Sequence, residues 1–229
     1  MSIIKRITVQ TYAYELDDVG ANVMVFEKGG KSTVTKFVVS IETNDGHIGS
    51  YAPHYGSSSS ALAQAKDMAP ALIGQNAEQR EKIFEDLKIA WRHFDRVGIA
   101  AIDCALWDLA GKKYGASISQ LLGGFRKRLP VYASTFPGQK TPGGLDSVES
   151  YADFAEDCMK RGFQAFKIHG FMDGTAKTEI AIMTAIRNRV GDGLKLMTDP
   201  VSSLSTFIEA IEVGRACDDL KFYWYEDPY

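Results

Sequence analysis

The sequence predicts an α/β protein: an N-terminal α+β module followed by a partial (β/α) TIM-type barrel of about four βα units. Three observations lead there. Strand-like runs with turn signals fill residues 3–49, helical patterns dominate residues 57–122, and from Leu129 onward strand and helix alternate strictly. The division implied is residues 1–128 for the first domain and 129–229 for the second.

In the first domain, Ile3 to Leu16 and Ser32 to Thr43 are β-rich, and Asn44-Asp45-Gly46 leading into His47-Ile48-Gly49 is a strong hairpin signal. Asp17 to Lys31, between the first two runs, mixes polar and apolar residues without a clean period and reads as a long, mobile loop. Ser57 to Ser60 can cap a helix over Ala61 to Ile73 that Gly74 closes. Asn76 then caps Glu78 to Phe94, with Ile83, Leu87 and Trp91 on one face. A third helix runs from about Gly98 to Lys113, and a short turn carries Ile118, Leu121 and Leu122.

In the second domain the strands are Pro130 to Thr135, Phe163 to His169, Lys195 to Asp199 and Phe222 to Glu226. Helices over Ser147 to Arg161, Ala176 to Arg189 and Ser203 to Ala216 lie between them. Such βα repeats imply parallel strands joined by right-handed crossovers. An open doubly wound sheet or a barrel would satisfy this. Ser134-Thr135-Phe136-Pro137-Gly138 lacks the GxGxxG spacing of a dinucleotide sheet, which favours the barrel. Four units are half of an eight-stranded barrel, and Tyr229 comes three residues after the fourth strand, so the barrel is expected to be incomplete in this chain.

Composition narrows the function classes. Of 229 residues, 45% are apolar and 24% charged, ample for a large core. A net charge of -3, from 26 Lys+Arg against 29 Asp+Glu, offers no basic stripe, so nucleic acid is not the expected partner. No apolar run approaches the ~20 residues of a membrane span, and the N-terminus lacks a signal-peptide core, so a cytoplasmic protein with no membrane partner is expected. Cys104, Cys158 and Cys217 form no CxxC pair and read as small buried hydrophobes.

Chemistry in a barrel sits at the C-terminal ends of its strands. Here those ends carry Lys167 and His169, then Asp199, then Glu226. A period of two puts Lys167 and His169 on one face, opposite Phe166 and Ile168. Taken singly these residues are weak signals, since Asp-Pro and Glu-Asp-Pro are also common turn or helix-start sequences. Their coincidence on consecutive units changes the weighting. Two carboxylates on neighbouring strands repel unless a cation lies between them, and carboxylate oxygens suit Mg²⁺. The set suits removal of a proton next to a carboxylate, with cationic charge stabilising the enediolate and a positioned base taking the proton.

The stretch Val97-Gly98-Ile99-Ala100-Ala101-Ile102-Asp103-Cys104-Ala105-Leu106-Trp107-Asp108-Leu109-Ala110-Gly111-Lys112, continuing to Leu121-Leu122-Gly123-Gly124, resembles the mandelate racemase and muconate-lactonizing branch of the enolase superfamily. Its small residues are expected to let that helix sit tightly against the barrel, with Asp103 and Asp108 as surface or inter-domain contacts. The resemblance implies an N-terminal α+β capping domain, closing over the substrate through the loop around Gly20 to Gly30 and the segment Tyr51 to Tyr55. His54 and Tyr55 become candidate substrate contacts. It implies Lys167 and His169 as the catalytic pair, His169 standing where the family's second Lys, the usual base, belongs. It implies Asp199 and Glu226 as the first two metal ligands, and a Val at 201 where many relatives carry Asn. Later strands would supply the third ligand and the opposite-face acid or base, so this chain alone is expected to bind metal weakly and turn over slowly or not at all. The function expected of the parent enzyme is a Mg²⁺-dependent lyase, a sugar-acid dehydratase acting on a small-molecule carboxylate and forming a homo-oligomer at full length. A racemase, epimerase or cycloisomerase, or an inactive fragment, is the alternative.

Overall fold

Phe37, Val39 and Ile41 alternate along a β-branched and aromatic run, and all three are fully buried, which makes one face of a sheet the floor of the N-terminal unit. The computed structural model of the protein describes residues 1–20, 26–53, 58–94, 96–138, 143–171 and 174–229. β1 (Ile4–Val19), β2 (Phe26–Thr43) and β3 (Ile48–Tyr51) form a three-stranded sheet in that order. β2 and β3 run antiparallel, Val39 opposite Tyr51 and Glu42 opposite Ile48, across the expected Asp45-Gly46 turn.

The expected long loop from Asp17 to Lys31 is corrected: β1 extends to Val19 and β2 begins at Phe26. After Ile4 no residue of β1 is buried. Ile7 and Val9 pack partly on the core, but beyond Val9 the strand has no buried apolar face, so its extension needs no period-two pattern and the sequence signal for it vanishes.

Four helices come next among the described residues: α1 (Ser58–Leu72), α2 (Arg80–Ala90), α3 (Val97–Tyr114) and α4 (Ile118–Leu121). α2 starts two residues later than the sequence suggests. Asn76 Oδ1 accepts the Glu78 N–H at 3.2 Å in the preceding turn, and Gln79 is the N-cap residue, without a side-chain cap bond. Ile4 and Ile41 from the sheet pack with Met68, Ile83, Ile102 and Leu106 from the helices. The small residues of α3 serve close contact with β3. A Cβ on Gly49 would lie 2.1 Å from the Ala105 carbonyl oxygen and 2.4 Å from the Leu109 nitrogen. Asp108 fastens the same edge, accepting the Ser50 N–H at 2.7 Å.

The chain divides into two compact units, one of Met1–Tyr14 with Thr33–Lys127 and the other of Glu15–Ser32 with Arg128–Tyr229. In the second, β4 (Ala133–Ser134), β5 (Ala165–Ile168), β6 (Lys195–Thr198) and β7 (Trp224–Tyr225) form a parallel sheet in sequential order. Strict sequential order, with no reversal, is the order of barrel staves and not of a dinucleotide fold. α5 (Val148–Lys160), α6 (Ala176–Val190) and α7 (Phe207–Asp219) connect the strands. Ser147, Thr175 and Thr206 cap them, each accepting a backbone N–H with its hydroxyl. The expected start of the last helix at Ser203 is corrected to Phe207, where the Thr206–Glu209 capping box fixes it. Cys158 and Cys217 lie in the buried core, and Cys104 is half-buried. Among the described residues no helix is long and apolar enough to cross a membrane.

Gly49→Ala tests the close contact of β3 with α3. Both atoms that the new methyl would meet belong to backbone, so neither can rotate away. Overpacking of this kind should cost about 3 kcal/mol, read as a fall in the urea midpoint with unchanged m-value.

Candidate active site

Along β5, Phe166 and Ile168 are fully buried in the helix-side core, which leaves Lys167 on the other face. The parallel register aligns Ser134, Lys167, Met197 and Trp224 across the four strands. Beyond the strand ends the ladder continues: the Asp199 N–H donates to the Ile168 carbonyl and the Glu226 N–H to the Thr198 carbonyl, both at 2.9 Å. His169, Asp199 and Glu226 are thereby carried to the face that bears Lys167.

Their side chains meet. Lys167 Nζ donates to Asp199 Oδ2 at 3.0 Å and to Glu226 Oε2 at 2.9 Å. Its side chain is 8% exposed, that of Asp199 10% and that of Glu226 41%. Burial pushes the Lys167 ammonium towards neutrality, but the hydrogen bonds and negative charges of Glu226 and Asp199 outweigh it and hold its pKa above the ordinary lysine value. The Tyr132 ring lies 5.8 Å from the same nitrogen.

His169 is held from three sides. Its N–H donates to Thr135 Oγ1 at 2.8 Å, and its carbonyl accepts from Tyr151 Oη at 2.8 Å and from Thr135 Oγ1 at 3.2 Å. Nδ1 faces the Thr135 carbonyl oxygen in a short contact, while Nε2 lies 3.0 Å from Asp199 Oδ2. A carbonyl and a carboxylate both only accept, so the Thr135 carbonyl places a proton on Nδ1, and the contact of Nε2 with Asp199 Oδ2 becomes a hydrogen bond when Nε2 is protonated as well.

Asp199 also does what an Asp-Pro turn signal suggests, since its Oδ1 accepts the Val201 N–H at 3.0 Å. Val201 has φ +56° and Ser202 φ +54°, left-handed conformations that strain a β-branched residue in particular.

Behind the site lies a residue that the sequence pattern alone did not single out. Glu179 of α6 is 4% exposed, and its Oε1 accepts from Thr198 Oγ1 in a short bond. Burial pushes its carboxyl up to about 7, against the Thr198 hydrogen bond and with help from the Asp199 charge. The signal was present: Glu179 occupies the buried stripe of Ala176, Ile182, Met183, Ile186 and Val190, where an acidic residue is out of place. Thr135 and Tyr151 were also missed, and nothing in the pattern marks them off from other strand and helix residues. His54 and Tyr55 lie outside the described residues. A cavity of about 540 Å³ between the segment after β4 and α5 shares Ser134 and Thr135 with this site but contains none of its ionisable groups.

Among the described residues no group of three or more His, Cys, Asp and Glu gathers at a common metal-binding point. The two carboxylates that converge on Lys167 nevertheless fit a hard cation that takes one or two carboxylates and completes its shell with water and substrate oxygens.

Known proteins match the chain in the same two parts. Residues 20–123 match the family model for the mandelate racemase / muconate lactonizing enzyme N-terminal domain, and residues 150–229 match the enolase C-terminal domain-like model. The chain belongs to this branch of the enolase superfamily. It is 33% identical over 198 residues to a D-galactarolactone cycloisomerase of Agrobacterium fabrum, an alignment covering 83% of this chain and 50% of that protein. With an arabinonate dehydratase of Saccharolobus solfataricus it shares 31% identity over 199 residues, covering 82% of this chain and 51% of the other. A D-glucarate dehydratase from Agrobacterium tumefaciens, solved in complex with magnesium, superposes with TM-score 0.83 at 27% identity over 99% of this chain and 61% of that one. The chain thus spans about half the length of the curated relatives it matches.

The raised pKa of Glu179 gives stability a pH dependence of definite sign. A carboxyl that titrates at 4.5 when unfolded and about 7 when folded keeps its proton in the native state across that window, while the unfolded chain has released it. Stability therefore falls as pH rises from 4.5 to 7 and stays lowered above. Glu179→Gln should remove this contribution: the variant should melt above the parent at about pH 8, with the gap closing by about pH 4.5. An equal gap at both pH values would mean that Glu179 is ionised where it is buried.

Proposed function

We propose that the complete protein is a Mg²⁺-dependent dehydratase of a sugar acid, removing the proton next to the carboxylate and then the β-hydroxyl. The observation that carries this reading is the shared face of β5, β6 and β7, where Lys167 bridges Asp199 and Glu226 beside His169. Asp199 and Glu226 are the residues that would hold Mg²⁺, which would supply positive charge beside the substrate carboxylate.

In this reading each side chain has a separate task. Lys167 keeps its charge because two acidic partners outweigh its burial, so it can receive a carboxylate oxygen of the substrate and stabilise charge that grows there as the α-proton leaves. His169 takes that proton on Nε2. The Thr135 carbonyl keeps Nδ1 protonated, and Asp199 Oδ2, 3.0 Å from Nε2, steadies the imidazolium that forms. An imidazole in place of a second lysine can still serve as the base. Sugar-acid dehydratases among the relatives, with arabinonate and D-glucarate named as substrates, support the lyase outcome.

A cycloisomerase or racemase shares the proton abstraction and differs in the fate of the carbanion it leaves. The cycloisomerase reading has its own support in the 33% identity to the D-galactarolactone enzyme.

The complete gene product, incubated with Mg²⁺ and galactarate, gluconate, arabinonate and galactonate in D₂O, should release a 2-keto acid from one of them. Exchange of the α-proton without any 2-keto acid would overturn the dehydratase and favour the isomerase. His169→Ala should lose exchange by roughly two to four orders of magnitude, the range usual for a general base. Mg²⁺ should also raise the unfolding temperature of the parent, since a ligand that binds only the folded state stabilises it. Asp199→Asn with Glu226→Gln should abolish that rise, and a rise that survives both changes would place the metal elsewhere.

A further inference from the structure

Glu179 occupies a place that the proposed chemistry does not use. It projects from α6 into the side of the sheet opposite Lys167 and touches two strand ends at once. At the end of β6, its Oε1 accepts from the hydroxyl of Thr198, the residue before Asp199. At the end of β5, a Cβ built on Gly170 would lie 2.0 Å from Glu179 Oε2 and 3.1 Å from its Cδ, so the carboxyl packs directly on the residue after His169. Gly170 is itself tied down, its carbonyl accepting the Gly138 N–H at 3.0 Å.

A buried carboxyl is expensive to maintain where an apolar side chain would fill the space. Among the described residues its hydrogen-bond partner is the Thr198 hydroxyl and not a cation. Its contacts are therefore not those of a stabilising ion pair. They are the contacts of a wedge set between the two segments that deliver the base and one metal-binding carboxylate.

We infer that Glu179 is a positioning residue whose buried carboxyl braces Gly170 and Thr198 and so sets the spacing between His169 and Asp199. This rests on the reading of His169 as the base. Removing the brace lets the two strand ends relax independently, and misplacement by about 1 Å is enough to cost up to ~100-fold in rate. Substrate binding, which depends on Lys167 and the rim as a whole, should change far less.

Glu179→Gln, Glu179→Ala and Thr198→Val in the complete gene product test this, with His169→Ala as reference. The measurement is α-proton exchange in D₂O, with galactarate or whichever acid of the panel exchanges fastest, resolved into kcat and KM. Glu179→Gln keeps an oxygen for the Thr198 hydroxyl and should stay within roughly two-fold of the parent in kcat. Glu179→Ala and Thr198→Val should lose roughly ten-fold or more in kcat, with KM within roughly three-fold. Thr198→Val changes a single hydroxyl to a methyl and decides the matter if Glu179→Ala fails to fold. Full kcat in Thr198→Val, or a loss matched by a fall in the folded fraction, overturns the positioning role. Exchange that persists in His169→Ala overturns instead the base assignment beneath it.

Discussion

One ammonium between two carboxylates is the constraint on which this half of the molecule depends. Asp199 and Glu226 each come within about 3 Å of Lys167 Nζ. Two anions that share one ammonium at such distances, at most about 6 Å apart, repel on the order of 3 kcal/mol at an effective dielectric constant of about 20. The cation turns this repulsion into attraction, and burial of Lys167 and Asp199 strengthens it by excluding water. The same low polarity makes the cluster intolerant of losing a member. A buried carboxylate without its partner is far more costly than the pair is favourable. Charge balance at the rim is thus a condition for β5, β6 and β7 to end together, before any substrate arrives.

Strand parity brings the three side chains to one point. Phe166, Ile168 and Leu196 are fully buried among α5, α6 and α7, and their burial fixes which face of β5 and β6 turns inward. A slip of one residue would expose that apolar set and bury the charges, so the helix-side core specifies the register and the register specifies the site. The core carries the stability and the rim gathers the charged groups on which the proposed chemistry rests, with a single pairing scheme serving both. Glu179 is the exception, a polar group on the apolar side, and it stands where the two functions meet at Thr198 and Gly170.

Much of this was legible in the sequence. Strict alternation after Leu129 placed the βα units, and the shared parity of Lys167 and His169 placed them on one face. Asp199 and Glu226 emerged because they fall at equivalent ends of successive units. Other features were not legible, for distinct reasons. The long β1–β2 extension has no buried face and so no periodic signal. The start of α2 depends on Asn76 turning its side chain to Glu78, a choice between two nearby backbone amides that propensity cannot make. The hold of Thr135 and Tyr151 on His169 joins residues 34 and 18 positions apart, and no local pattern records such a contact. The tightness of α3 was readable from its Ala and Gly content, while its partner, β3, was not.

The backbone after the strands shows how the two carboxylates are kept in place once the register has delivered them. Val201 and Ser202 adopt left-handed conformations immediately after Asp199-Pro200, and Asp227 does so immediately after Glu226. Each such residue costs about 1–3 kcal/mol and persists only where its surroundings over-determine it. Here they do. The Ser202 N–H donates to the Asp227 carbonyl at 2.8 Å, and the Leu204 N–H to the Pro228 carbonyl at 3.3 Å, so the two turns grip each other. Asp199 Oδ1 holds the Val201 N–H, which turns Oδ2 towards Lys167 and His169. The strain therefore falls on the residues that orient the acidic pair, with Glu179 bracing Asp199 from the opposite side of the sheet through Thr198. A valine at 201 accepts the cost of a conformation that asparagine or glycine would adopt more easily, and its exposed side chain, 41% accessible, stands at the rim beside Asp199. Backbone strain, the turn-to-turn hydrogen bonds and the Lys167 bridge thus act on the same two carboxylates from three directions.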